Sequence, residues 1–371
     1  MNIVWFAWKD INHPAAGGAE NISWQIMRRL AAEGHQVRLI TARYNSSSRE
    51  ETIHGVEIFR TGNRLSVYLG AMLLFRRQMS RWPDLIIDEM NTIPFAAGFY
   101  SRKKRVLLAY QLARQVWFYQ ALFPISYIGY AIEPFYLFAL SRRYKKVLTE
   151  SESSRQDFAR YGFHAENTSV FRVGIDLKPI EALDKKKSLD NILVLGAIRP
   201  MKRTLDAVKG FELACDQNPS LQLKLAGNSN GRYASRVLKY ISESRHANAI
   251  QVLGKVSEGQ RLELMRQASL ILVTSIKEGW GLIVTEANSQ GTPAIAYNAD
   301  GLRDSVKDGE TGLLVKSGDT SALGRAVNRL LSDKDGYQTM RNKAWVNSRQ
   351  YTFKNCYDDF TAAADIDTNE H

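Results

Sequence analysis

A chain of 371 residues exceeds what one hydrophobic core usually serves, which predicts two domains of roughly 150 to 200 residues. Its 44% hydrophobic and 24% charged residues exclude a disordered or fibrous polypeptide. The formal charge of +12 is shared unevenly: residues 1–180 hold 24 Lys and Arg against 15 Asp and Glu, the remainder 26 against 23.

A basic first half suits an anionic membrane surface, phosphorylated substrates or nucleic acid, because all three reward clustered Lys and Arg through one long-range field. The clusters RKKR (102–105) and RRYKK (142–146) single it out from an evenly solvated surface. Two cysteines, Cys215 and Cys356, are too few for a disulfide scaffold and too far apart for a metal knuckle. A reducing, cytoplasmic setting is expected. The start MNIVWFAWKD lacks a basic stretch followed by an apolar one, so no signal peptide is expected.

In chain order, NIVWFAW (2–8) reads as a buried strand, ENISWQIMRRLAAEG (20–34) as a helix closed by Gly34, and QVRLITA (36–42) as the next strand. This βαβ unit implies a parallel sheet. The pattern continues through VEIFR (56–60), an amphipathic stretch at 64–79, and strands at 84–88, 105–110, 145–150 and 168–173.

Residues 115–140 carry one formal charge, Glu133, between Arg114 and Arg142. The length permits a membrane crossing, but Pro124, Gly129 and Pro134 are expected to break it, and the many Tyr, Phe and Trp suit an interface. Buried or groove-lining helices, a membrane-surface contact and a span all fit.

A charged link, EALDKKKSLD (181–190), marks the expected domain boundary, giving 1–180 and 181–350. A second series of strands follows at 191–197, 221–227, 249–254, 269–274, 293–297 and 312–315, with helical segments between. Two tandem doubly wound, Rossmann-like α/β domains are predicted, with ligand at the C-terminal ends of the strands and in the crevice between the domains. A last helix, about 351–371, is expected to pack back on the first domain.

The chemistry concentrates in three strand-to-helix turns. In EGWGLIVTE (278–286), Gly279 and Gly281 allow a tight turn after a buried strand, and the amides of Gly281, Leu282 and Ile283 at the helix start form an anion site aided by the helix dipole. Glu286, one to two turns on, suits the vicinal diol of a ribose, and Glu278, across the phosphate position, suits another polyol. In LGAIRPMKR (195–203), Arg199 and Lys202 are placed to neutralise a diphosphate as it leaves. In PAAGGAEN (14–21), Gly17 and Gly18 let backbone approach a phosphate or sugar. The dinucleotide fingerprint GxGxxG is absent, which argues against a dehydrogenase.

These motifs, with LAAEGHQVRLIT, TESESSRQDFARYG, VGID (173–176) and GLRDSVKDGETGLLV, resemble the family 4 retaining glycosyltransferases (group 1) of the GT-B fold over almost the whole chain. The resemblance implies that Gly17 and Gly18 meet donor phosphate and acceptor, and that Lys202 binds the diphosphate. Glu278 would hold donor-sugar hydroxyls, the amides of residues 281–283 the phosphate, and Glu286 the ribose. It implies no metal and no cofactor beyond a nucleotide diphosphate sugar.

Two positions depart from that pattern. Ala197 stands where members often have Arg, with Arg199 two residues on, and Tyr110 stands where many have His. Tyr110 remains a possible acceptor or reaction-centre contact through its hydroxyl, but it is no base at neutral pH.

The resulting expectation is a metal-independent, retaining transferase acting on a lipid-linked or envelope-polysaccharide acceptor, peripheral at the inner face of a cell membrane. Alternatives are a nucleotide-sugar epimerase of the same fold, a non-catalytic sugar-nucleotide binder, and a nucleic-acid-binding protein. The last is disfavoured because paired glutamates at a phosphate turn repel a nucleic-acid backbone, so no nucleic-acid partner is expected.

Overall fold

A computed structural model describes residues 1–183 and 188–367; positions 184–187 of the 181–190 link and 368–371 of the expected last helix lie outside the described residues. The chain divides into two compact units, one comprising Met1–Gly174 with the segment from Phe353 onward, the other Ile175–Thr352.

The division after Gly174 precedes the expected boundary because residues 177–180 already belong to the second unit. The Ile180 amide donates to Ser289 O (3.0 Å), the Lys178 carbonyl accepts from Gln290 (2.9 Å), and Leu177 is buried in that unit's core. Likewise Tyr351 stays with the second unit, its carbonyl accepting from the Ile175 amide at 3.1 Å.

In the first unit, β1 (Asn2–Phe6) feeds α1 (Gly18–Ala32), followed by β2 (Gln36–Ala42), β3 (Glu50–Ile53), β4 (Val56–Thr61) and α2 (Val67–Leu74). Next come β5 (Leu85–Met90), β6 (Lys104–Ala109), α3 (Trp117–Gln120), α4 (Ile125–Ser141), β7 (Val147–Thr149), α5 (Glu152–Ala159) and β8 (Thr168–Val170). The sheet order is β3-β4-β2-β1-β5-β6-β7-β8, parallel except for the β3–β4 hairpin. All six residues of β5 are buried, as a central parallel strand covered on both faces requires. The edge strand β3 escaped the sequence reading because EETI is largely exposed and shows no apolar alternation.

In the second unit the elements are β9 (Asn191–Leu195), α6 (Thr204–Cys215), β10 (Gln222–Ala226), α7 (Arg232–Ser242), β11 (Ile250–Gly254), α8 (Glu258–Gln267) and β12 (Leu270–Val273). They continue with α9 (Leu282–Ser289), β13 (Ala294–Tyr297), α10 (Leu302–Ser305), β14 (Gly312–Val315), α11 (Thr320–Ser332) and α12 (Lys334–Ser348). The order β11-β10-β9-β12-β13-β14 is doubly wound and wholly parallel. Its direction reverses between β9 and β12, where such sheets open a ligand crevice at the strands' C-terminal ends.

The last helix, α13 (Phe353–Ala364), belongs to the first unit. Phe360 stacks on Trp5 of β1 (centroids 5.5 Å), the Tyr357 hydroxyl donates to Glu33 (2.6 Å), and Arg172 forks onto Asp359 (2.6 and 2.7 Å). Burying two such aromatic side chains contributes on the order of 2 to 3 kcal/mol each.

The stretch 115–140 corrects one expectation. Neither Gly129 nor Pro134 interrupts α4, a helix of 17 residues whose N-cap is Pro124. Gly129 is there for packing: a Cβ on it would lie 2.5 Å from the Trp117 ring. Only Pro124 marks a break, the one separating α3 from α4.

Candidate donor and acceptor sites at the strand ends

In the second unit, the loops after β9 and β12 leave adjacent strands and are bound to each other. Thr274 Oγ1 donates to the carbonyls of Lys202 (2.8 Å) and Arg203 (3.0 Å), and the Ile276 amide donates to Met201 O (3.0 Å). Residues 200–202 form a single 3₁₀ turn and Arg203 takes a left-handed conformation (φ 46°) into α6. The result sets Lys202 Nζ 2.5 Å from Glu278 Oε1. Two motifs separated by 76 residues thus meet in one ion pair. Both side chains are partly exposed, so the pair itself stabilises by about 1 kcal/mol at most.

The turn carrying Glu278 is held from behind. Its amide donates to Asp300 O (3.0 Å), Lys277 pairs with Asp300 (3.2 Å), and Arg303 pairs with the same carboxylate (2.7 Å). Trp280 is buried; its indole N–H donates to Thr285 Oγ1 (2.8 Å) and its ring packs against Tyr351 at 5.1 Å. Gly281 caps α9 in a left-handed conformation (φ 94°), and a Cβ there would press on Leu302 at 2.9 Å. The Val284 amide turns back to Gly281 O (2.8 Å), while those of Gly281, Leu282 and Ile283 lie at the open end of the helix.

Glu286, one turn on, meets a residue the sequence reading missed. Arg261 of α8 donates to its Oε2 at 2.9 Å. Burial pushes the Glu286 carboxyl above its ordinary range, and the Arg261 guanidinium opposes that shift. No short-range signal links residues 261 and 286; only the packing of α8 against α9 joins them. Arg199 opens the 3₁₀ turn with an exposed side chain. Ala197 stays in the loop after β9 and brings no charge.

In the first unit, the order reverses between β1 and β5. Gly17 is the N-cap of α1, and both Gly17 and Gly18 are exposed. The organiser of this turn is Glu20, also missed in sequence: it accepts from the Gly17 amide (2.7 Å) and Asn91 (3.3 Å) and pairs with Lys9 (2.7 Å).

Tyr110, at the end of β6, is buried, and its hydroxyl donates to Ala19 O (3.1 Å) beside the Ser23 hydroxyl (2.6 Å). Burial and nearby Glu89 push its pKa well above the ordinary phenol value. Tyr110 is thus a protonated tie on the start of α1. Beneath it, Glu89 of β5 accepts from Ser23 (2.6 Å) and Trp5 (2.9 Å), and burial raises its carboxyl to about 7.

Two doubly wound units, each with a glycine turn and polar side chains where its strand order reverses, define a GT-B protein. The description "Glycosyltransferase Family 4" matches residues 16–179, and "Glycosyl transferases group 1" matches residues 178–346. The chain belongs to this family of glycosyltransferases.

Among curated relatives, the D-inositol 3-phosphate glycosyltransferase of Nocardia farcinica is 25% identical over 223 residues, covering 56% of this chain and 49% of that protein. The chain thus spans about half the length of such relatives. Among solved structures, Anabaena HepE in complex with UDP and glucose superposes with TM-score 0.75 at 18% identity, over 98% of this chain and 99% of that one. WaaG, a glycosyltransferase involved in lipopolysaccharide biosynthesis, superposes with TM-score 0.72 at 17% identity, over 99% and 100%. At such identities these structures speak for the fold.

Proposed function

We propose that the protein transfers a hexose from a nucleotide diphosphate sugar to a lipid-linked or envelope-polysaccharide acceptor, with retention at the anomeric carbon and without a metal ion. One observation carries the reading: Lys202 and Glu278 meet at 2.5 Å where the second sheet reverses, one turn before the open amides of α9. A cation, a helix N-terminus and a carboxylate so grouped suit the diphosphate and hydroxyls of a sugar nucleotide. That HepE was solved with UDP and glucose supports the donor class.

In this reading the Gly281, Leu282 and Ile283 amides and Lys202 bind the diphosphate, with Arg199 as a further cation. Glu278 accepts from sugar hydroxyls and Glu286 from the ribose diol. The first unit, through Gly17 and Gly18, receives donor phosphate and acceptor. The bond from the anomeric carbon to the phosphate oxygen breaks as the acceptor oxygen bonds on the same face, and the acceptor proton passes to the departing phosphate. Lys202 and the α9 amides stabilise the charge that develops there.

The test is titration calorimetry with UDP, GDP and ADP on the wild type and Glu286→Ala, followed by incubation of the matching sugar conjugates with and without acceptor. Micromolar binding of one nucleotide, weakened at least tenfold in the variant, is expected. A folded protein that binds none of them refutes the proposal, and donor turnover without acceptor would make it an epimerase.

A further inference from the structure

Helix α4 has an unusual distribution of polarity. Its inward positions include the buried carboxylate of Glu133, which accepts from the amides of Ala113 (2.9 Å) and Arg114 (2.7 Å) and from the Trp117 indole (3.0 Å). Its outward positions are apolar. Ile125, Ile128, Ile132, Phe135 and Phe138 follow helical spacing along one stripe, each about half exposed or more, with Phe135 at 75%. Every charge on this helix faces in and the solvent side has none.

The stripe continues at both ends. Before α4, Leu122 and Phe123 stand 85% and 79% exposed at the tip of the α3–α4 turn. After it, Arg142 lies over the Phe138 ring (4.2 Å) and Arg143 over exposed Phe99 (5.3 Å). An apolar ridge about 25 Å long, from 17 residues rising 1.5 Å each, therefore ends in two exposed arginines.

The surrounding charge is one-sided. Residues 64–146 contain thirteen Lys and Arg against four acids. Asp88, Glu89 and Glu133 are buried, leaving Asp84, at the N-terminal end of β5, as the exposed acid of this stretch. The cluster at 102–105 is partly engaged internally: Lys103 donates to Arg81 O, Lys104 pairs with Asp365, and Arg105 donates to the carbonyls of Ser101, Lys103 and Arg143.

We propose that α4 and the preceding turn form a docking face for an anionic lipid bilayer. The helix lies in the interface plane with Phe123, Ile128, Ile132 and Phe135 entering the acyl boundary, and Arg142 and Arg143 at headgroup level. No helix among the described residues is long and apolar enough to cross a membrane, so the contact is peripheral. Large apolar residues flanked by cations, with no exposed acid among them, match an anionic bilayer in both components of binding. A second copy of the chain would set like charges against each other around the ridge. The inference stands apart from the transfer reaction, since it requires no donor.

The experiment is co-sedimentation of the whole protein with vesicles of phosphatidylcholine alone and with a third phosphatidylglycerol, at low and high salt. The wild type is compared with Ile128→Ser/Ile132→Ser/Phe135→Ser and with Arg142→Gln/Arg143→Gln. Binding selective for the anionic vesicles is expected, reduced at least tenfold by the apolar triple change and severalfold by added salt or the arginine changes. Circular dichroism and nucleotide calorimetry should match the wild type in all variants, because the altered residues face solvent in the other unit from the proposed donor site. Equal binding by the triple variant overturns the proposal. So does equal binding to neutral and anionic vesicles, or wild-type dimerisation in sedimentation velocity that the triple variant lacks.

Discussion

The hydroxyl of Tyr110 lies 2.6 Å from that of Ser23, and through this contact the end of β6 grips the first turn of α1 beneath Gly17 and Gly18. Here the Tyr110 side chain works by geometry. Tyr110→Phe should leave the Ala19 carbonyl and Ser23 short of a partner and cost about 1 to 2 kcal/mol in urea unfolding. If the tie also sets the glycine turn, kcat should fall, while the affinity of the isolated nucleotide, held mainly by the proposed site in the second unit, should change by severalfold at most.

Glu89 makes stability depend on pH. Its folded value of about 7 lies above the ordinary 4.5, so the folded state holds a proton that the unfolded state has released between those two values. Stability from this group is present below pH 4.5, is lost as pH rises towards 7, and is level beyond, a change of roughly 3 kcal/mol at most. Lys9 and Glu20 are the charges that bear on it from the neighbouring turn and helix. Glu89→Gln, with the amide oxygen accepting from Trp5 and Ser23, should flatten this segment in chemical denaturation across pH 4 to 8.

Burial pushes the Glu286 carboxyl up, and the Arg261 guanidinium bonded to it opposes that shift. In Arg261→Ala the carboxyl should rise further, so nucleotide affinity, which needs the ionised acceptor, should begin to fall at a higher pH than in the wild type. Across the acidic limb the variant should bind more weakly than the wild type at each pH, because burial alone then sets the carboxyl's proton affinity. A calorimetric pH series checks it, and a curve parallel to that of the wild type would remove Glu286 from the ribose.

Gly301 underlies the 278–279 turn. It has φ 77°, and a Cβ would sit 2.3 Å from the Glu278 carbonyl oxygen. Gly301→Ala should displace that turn, lower thermal stability by the equivalent of about 1 to 3 kcal/mol, and weaken nucleotide binding more than the Tyr110→Phe change does.

Much of this fold is legible along the chain. Runs such as NIVWF and LILV are buried strands because both faces of a parallel sheet are covered, and glycine turns after β1 and β12 mark helix starts. Edge strand β3 and the uninterrupted course of α4 were not legible. The first lacks apolar alternation, and in the second a Trp117 ring fills the space at Gly129 while Pro134 is accommodated within the helix.

The sequence by itself determined which residue types stand at each turn: Gly17, Gly18, Lys202, Glu278 and Gly281 precede or open helices, and Glu286 follows one turn on, because local backbone demands and apolar spacing are written in consecutive positions. Tertiary structure alone decided their partners. Lys202 meets Glu278, Arg261 meets Glu286, and Tyr110 meets Ser23 because strand order makes neighbours of β9 and β12 and helix packing joins the rest. It also decided which face of α4 turns outward. Helical periodicity shows that 115–140 has apolar residues on every side, but only its packing, with Leu137 and Leu140 against the sheet and Glu133 against residues 113–117, determines that Glu133 goes in and Phe135 stays out.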